Sequence, residues 1–181
     1  MLEVLIAILV LLFGLLGMAG VQVRTTQAEF ESYQRTQALV LLHDIVDRIQ
    51  ANRLMADCYS LTTASTGAPF AGTGATLPAA CGTGTAPNEL TAQTDLSDWS
   101  NALMGAAEVQ AGVNIGAMIG ARGCVTADGS GAYTVTVAWQ GMSATAAPPT
   151  ALTCGTGLYG TETLRRVVSA KVQAATLTPG P

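Results

Sequence analysis

The sequence is short of the residues that most chemistry needs. It holds one histidine, His43, in 181 residues; aromatic residues make up 5% and charged residues 11%. One imidazole cannot build a multi-histidine zinc site, and no Ser, His and Asp set can be argued around it. So few aromatics leave no platform on which bases could stack. Eight Lys and Arg stand against twelve Asp and Glu, a net charge of −4 and a pI near 4.7. That balance gives no electrostatic footprint for a phosphate backbone, so no specific nucleic-acid site is evident. Gly72-Thr73-Gly74 and Gly155-Thr156-Gly157 lack the Lys and the third Gly of a phosphate or dinucleotide loop. Asp44 and Asp47 share a helix face but are followed by Arg48, which reads as a solvated ion pair and not as a catalytic carboxylate pair. The expectation is a protein without catalytic residues, metal or cofactor.

What the sequence has in abundance is apolar surface, and it is concentrated at one end. Residues 1–23 (MLEVLIAILVLLFGLLGMAGVQV) carry one charge, Glu3, and one other polar side chain, Gln22. About 20 apolar residues at about 1.5 Å per residue cross the hydrocarbon core of a bilayer. The first basic residue, Arg24, follows this run, and no Ala-x-Ala site precedes it. A cleavable secretory signal has the opposite layout, so the segment is expected to stay in the mature protein. Glu3 invites two readings. It can sit at head-group level and favour the helix N-terminus, or it can be a functional intramembrane carboxylate. The second reading needs a cation, and none lies in residues 1–23, so the partner would come from another chain.

Leu2-Glu3-Val4-Leu5-Ile6-Ala7 followed by a long apolar run resembles the N-terminus of type IV pilins and related pseudopilins. The resemblance implies processing by a prepilin peptidase, an N-methylated first residue and a glutamate fifth in the mature chain. Glu3 stands third here, so a leader, its glycine and two mature residues are expected upstream. Tyr33-Gln34-Arg35 and the run from Ala38 to Arg53, with Asp44, Asp47, Arg48, Ala51 and Asn52, are similar to the PilV-type minor pilins of Gram-negative bacteria. The strand from Tyr133 to Trp139 and the ending Arg165-Arg166-Val167-Val168 after Cys154 are looser similarities.

Residues 24–53 read as a continuation of the same helix. Phe30, Tyr33, Leu41, Leu42, Ile45, Val46 and Ile49 recur at three- and four-residue steps, and no proline interrupts residues 1–53. Such a helix would approach ~80 Å, so half of it is expected to protrude from a small domain. Gly14, Gly17 and Gly20 are its weak points, open to two readings: close packing through small residues, or local melting.

After Arg53 the composition changes. Residues 58–88 hold no charge and are rich in Gly, Thr, Ala, Ser and Pro, a loop signature, and the stretch from Leu61 to Ala80 reads as a surface element outside the core. Residues 95–107 predict a short helix capped by Thr94 or Asp95, with Trp99 as a core anchor. Tyr133, Val135, Val137 and Trp139 alternate with Thr134, Thr136 and Ala138, a strong strand signal. The turn Asp128-Gly129-Ser130-Gly131 makes residues 122–127 its hairpin partner, and residues 164–174 read as a closing strand, with a helix as the alternative. Four cysteines in an exported chain point to two disulfides. Pairing Cys58 with Cys81 and Cys124 with Cys154 avoids tying the helix end to distant strands.

The fold class expected is α+β, a long N-terminal α-helix on a small C-terminal antiparallel sheet domain, as in type IV pilins. Residues 1–23 would form the transmembrane or filament-core helix, 24–53 its amphipathic continuation and 54–181 the globular head. The resemblance implies a pilin subunit that partners other pilin subunits in a filament and resides in the inner membrane, head in the periplasm, before assembly into an extracellular pilus. Two alternatives remain. One is a type II secretion pseudopilin, against whose calcium-binding main form the absence of carboxylates from residues 129–161 counts. The other is a membrane-anchored periplasmic enzyme.

Overall fold

The structure, a computed structural model, describes residues 2–78, 81, 86–116 and 118–174. It divides into two compact units, Met1–Gln34 and Arg35–Pro181. The first unit is helical throughout its described residues and belongs to α1, which runs without a break from Leu2 to Ala51. Every side chain from Leu2 to Phe30 is exposed. Glycine costs a helix about 1 kcal/mol against alanine, yet α1 continues through Gly14, Gly17 and Gly20, whose surroundings are open.

The second unit is built on the remainder of α1. Ala38, Leu42, Ile45 and Ile49, spaced four, three and four apart, are 0–2% exposed. This is the inward stripe of an amphipathic helix, and each large side chain so buried contributes ~1.5–3 kcal/mol. Phe30 and Tyr33, expected in the stripe from their spacing, are exposed, because the packed part of the helix starts beyond them. At Asn52 the backbone leaves helical geometry, and its Nδ2 donates to the Asn88 carbonyl at 3.0 Å. A short 3-10 turn, Arg53–Met55, and a four-residue helix α2, Ala56–Tyr59, follow.

The charge-free stretch is less of a loop than its composition predicts. A two-residue strand β1, Ala71–Gly72, forms one sheet edge, and helix α3 spans Ala86–Leu103, beginning nine residues before the expected start. Pro87 suits a first helical turn, where its missing N–H would have no partner anyway. Ala92, Leu96, Trp99 and Leu103 form the buried stripe of α3. Leu61 and Ala71 are in the core, and Phe70 and Leu77 pack against buried clusters, so the reading of Leu61–Ala80 as outside the core is corrected. Thr62 closes on the sheet through both its backbone and its side chain, its amide donating to the Val125 carbonyl at 3.0 Å and its hydroxyl accepting the Val125 amide at 3.2 Å. Ala79 and Ala80 lie outside the described residues.

Beyond α3, a two-stranded hairpin of β2, Val109–Gln110, and β3, Val113–Asn114, stands apart from the main sheet. Strands β4 (Arg122–Ala127), β5 (Ala132–Gln140) and β6 (Arg165–Gln173) complete an antiparallel sheet of order β1-β4-β5-β6. Period two sends Tyr133, Val135, Val137 and Trp139 to the core with Val125 and Val172. In the turn between β4 and β5, Gly129 and Gly131 adopt φ of 80° and 84°, and Asp128 Oδ1 accepts the Ser130 and Ala132 amides. These amide bonds, Ser130 first, hold the Asp128 carboxyl below its ordinary range.

Two disulfides tie the second unit. Cys58 of α2 is bonded to Cys81, and Cys124 of β4 to Cys154. The second sits in a smaller cluster with Ala138 and Tyr159. Closing chains of such length contributes ~2–4 kcal/mol each by restricting the unfolded state.

Candidate functional site

The first unit presents an apolar cylinder. Leu2, Leu5, Leu9, Phe13 and Leu16 are 51–73% exposed, and an 18-residue stretch of α1 is long and apolar enough to cross a membrane, with none of it covered. Glu3 is the one acid of the run, and no cation among the described residues lies within ion-pairing distance. Gly14, Gly17 and Gly20 fall within three- and six-residue steps of one another and leave gaps between the larger side chains. Water does not stabilise such a surface, because each exposed aliphatic group forgoes about 25 cal/mol per Å² of burial.

In the second unit the charged residues form structural ties. Arg48 bonds Asp44 at 3.1 Å and reaches α3, where it meets Asp95 at 2.8 Å and Asp98 at 3.7 Å. Asp47 takes no part, which corrects its pairing with Arg48 and Asp44 as a purely solvated set; the arginine instead bridges two helices. Desolvation lowers the Arg48 pKa, but its bonds to Asp95 and Asp44 outweigh it and the net shift is upward. Tyr59 donates to Asp95, and burial, then this bond, raises its hydroxyl pKa far above the usual value. Beside them Trp99 Nε1 donates to the Leu41 carbonyl at 2.8 Å. Sequence reasoning missed Asp95 and Asp98 as partners of Arg48. Their spacing of three, which puts both on one face of α3, was the available signal.

At the far side of the sheet Arg165 is 2% exposed and bonds Glu162 at 2.6 Å and the carbonyls of Leu152 and Cys154. It fastens the long β5–β6 connection. The Gly157 amide depresses the Glu162 pKa; desolvation opposes it, and the bond and charge of Arg165 add to the downward shift, which prevails. Tyr133 donates to Asp57, and burial with this bond pushes its pKa up to about 12. His43 is exposed, its Nδ1 2.8 Å from the Leu39 carbonyl. Among the described residues, no group of three or more His, Cys, Asp or Glu could hold a metal.

An uncovered, membrane-length apolar helix joined in sequence to a disulfide-tied antiparallel sheet is consistent with the type IV pilin fold. The family model of the Tt1218-like type IV pilins matches residues 20–97, from the end of the apolar run through most of α3. The chain is thus similar to type IV pilins over that span, which is under half of its length. No curated protein and no solved structure matches the chain.

Proposed function

We propose that the chain is a PilV-like subunit of a type IV pilus. Residues 1–23 hold it in the inner membrane with the head in the periplasm, and the subunit then passes into the extracellular filament. There it supports adhesion, motility or DNA uptake. One observation carries the reading: the apolar residues from Leu2 to Val23 are exposed on every side of the helix. Such a surface is stable in lipid and equally stable against other apolar helices, so exchanging one for the other costs little. Glu3 is the assembly residue, its carboxylate pairing with the N-terminal amine of a neighbouring subunit, an attraction strengthened by low dielectric. Gly14, Gly17 and Gly20 supply close packing or local flexibility as the helix changes surroundings. Shearing surface filaments from cells and identifying their subunits by mass spectrometry tests this reading. The chain is expected among the filament peptides, and its absence from filaments of a strain that expresses it would refute the proposal.

A further inference from the structure

Two exposed segments of this chain each hold one charge in otherwise uncharged surroundings, and the charges are opposite. Between Glu3 and Glu29 the one charged residue is Arg24; between Asp98 and Arg122 it is Glu108. Both are exposed, and neither has an ion-pair partner among the described residues.

Glu108 adjoins the β2–β3 hairpin. The Ile115 amide donates to the Glu108 carbonyl at 2.9 Å, and Gln110 pairs with Val113, so period two places Glu108, Gln110, Val113 and Ile115 on one face. Val113 and Ile115 are 65% and 56% exposed. An isolated two-stranded hairpin is marginal in water, yet this one is fastened at its base. Gln37 Nε2 donates to the Gly116 carbonyl at 2.6 Å, and Asn114 Nδ2 to the Met104 carbonyl at 3.2 Å. Its two-residue turn, Ala111 and Gly112 at φ 50° and 80°, follows the twist of the strands. The result is a preorganised apolar ridge with one carboxylate. On α1, the residues three, four and seven before Arg24 share its face: Val21, Gly20 and Gly17. Val21 is exposed, and the two glycines have nothing within 4 Å, leaving a floor into which a ridge can settle before a terminal guanidinium.

We infer that in the filament the β2–β3 hairpin of one subunit docks on residues 17–24 of a second copy of this chain, with Glu108 meeting Arg24. The inference rests on the pilus reading and extends it to a named contact. A lipid surface fits the hairpin less well, because its one charge is negative and would be repelled by anionic head groups. A contact between two different patches is heterologous, so repeating it builds an open helical array and not a closed dimer.

The test uses the full chain in its own cells. A photoreactive benzoylphenylalanine at Val113 should give, on illumination, an adduct of two subunits whose linked peptide lies within residues 13–28 of the second copy. Glu108→Arg and Arg24→Glu should each cut recovery in sheared filaments about tenfold, the scale of a lost charge pair between apolar surfaces, with membrane levels unchanged. The double exchange should restore most of it. An adduct with lipid only, with another protein or with a head, or a double exchange no better than either single, overturns the contact. If the unaltered chain is missing from filaments, the pilus reading falls, while an adduct within residues 13–28 formed in the membrane still upholds the contact.

Discussion

At Gly123 strand β4 lies against the side chains of helix α3. A Cβ built on it would overlap Trp99 Cη2 and lie 2.7 Å from both Leu103 Cδ1 and Trp99 Cζ2. Trp99 and Leu103 are 0% exposed, and the indole is further held by its bond to the Leu41 carbonyl. Gly123→Ala therefore overpacks a core with no free direction for relief, at a cost of about 1–3 kcal/mol. Trp99→Phe gives up a hydrogen bond worth ~0.5–1.5 kcal/mol, with a further term for the emptied volume. A phenyl ring ends short of the positions of Cη2 and Cζ2, so it vacates the space that the alanine methyl needs. The double variant should then be less destabilised than the sum of the singles by about 1 kcal/mol or more, within the range measured for residues in contact. Pulse proteolysis of the full chain in detergent micelles across a urea series measures all four stabilities. Additive costs, or a double variant worse than the sum, would refute the claim that the Trp99 indole is what excludes a side chain at position 123.

Four further outcomes are expected. Glu3→Ala should leave the chain stable in the membrane but poorly recovered in sheared filaments; normal recovery would sink the proposed pairing with a neighbour's amine. The Glu162 pKa is depressed in the folded state, so its contribution is full above the unfolded carboxylate value and fades as pH falls through that value towards the lower folded one. Glu162→Gln should therefore lose stability at pH 7 and flatten the acid limb of a stability curve, and an unchanged limb would count against the Arg165 tie. Alkylating unreduced protein before peptide mapping should label no cysteine, while any labelled thiol or a Cys58–Cys154 peptide would contradict the pairing. Deleting residues 65–76 removes β1 and the ring of Phe70, so the head should become protease-sensitive; full resistance would return this stretch to the surface role that its composition suggests.

The parts of this fold legible in the sequence are those with a one-sided burial pattern. Strand β5 alternates Tyr133, Val135, Val137 and Trp139 towards the core over nine residues, and the head's share of α1 repeats its apolar stripe from Ala38 to Ile49. The start of α3 was hidden because Asn88, Glu89, Thr91, Gln93 and Thr94 leave few apolar positions to set a period, and the Pro87 that opens the helix also fits a loop. Strand β1 has no pattern to read: its two residues, Ala71 and Gly72, are too few to show alternation, although both are buried. The β2–β3 hairpin is exposed on both faces, so alternation against a core never arises. The contribution of Arg48 was misread for another reason. Its partner Asp44 is local, whereas Asp95 and Asp98 lie about fifty residues away and are brought to it by helix packing.

The division of interactions between the two units suits the two surroundings that the proposed function gives the chain. A subunit that moves from lipid into a filament has to keep its head folded throughout, so that fold cannot depend on whatever covers the apolar helix. The second unit meets this requirement with internal means: one continuous buried cluster from Ala38 to Val172, two disulfides, and the ties through Arg48 and Arg165. The first unit carries none of these from Leu2 to Phe30, where every side chain faces outward. Its helix is kept by backbone hydrogen bonds that lipid strengthens by excluding water, and its side chains are left for whichever apolar partner is present. On the proposed function, a polar substitution among residues 4–23 is expected to act on insertion and assembly and not on the head, while one at Ile45 or Trp99 acts on the head first.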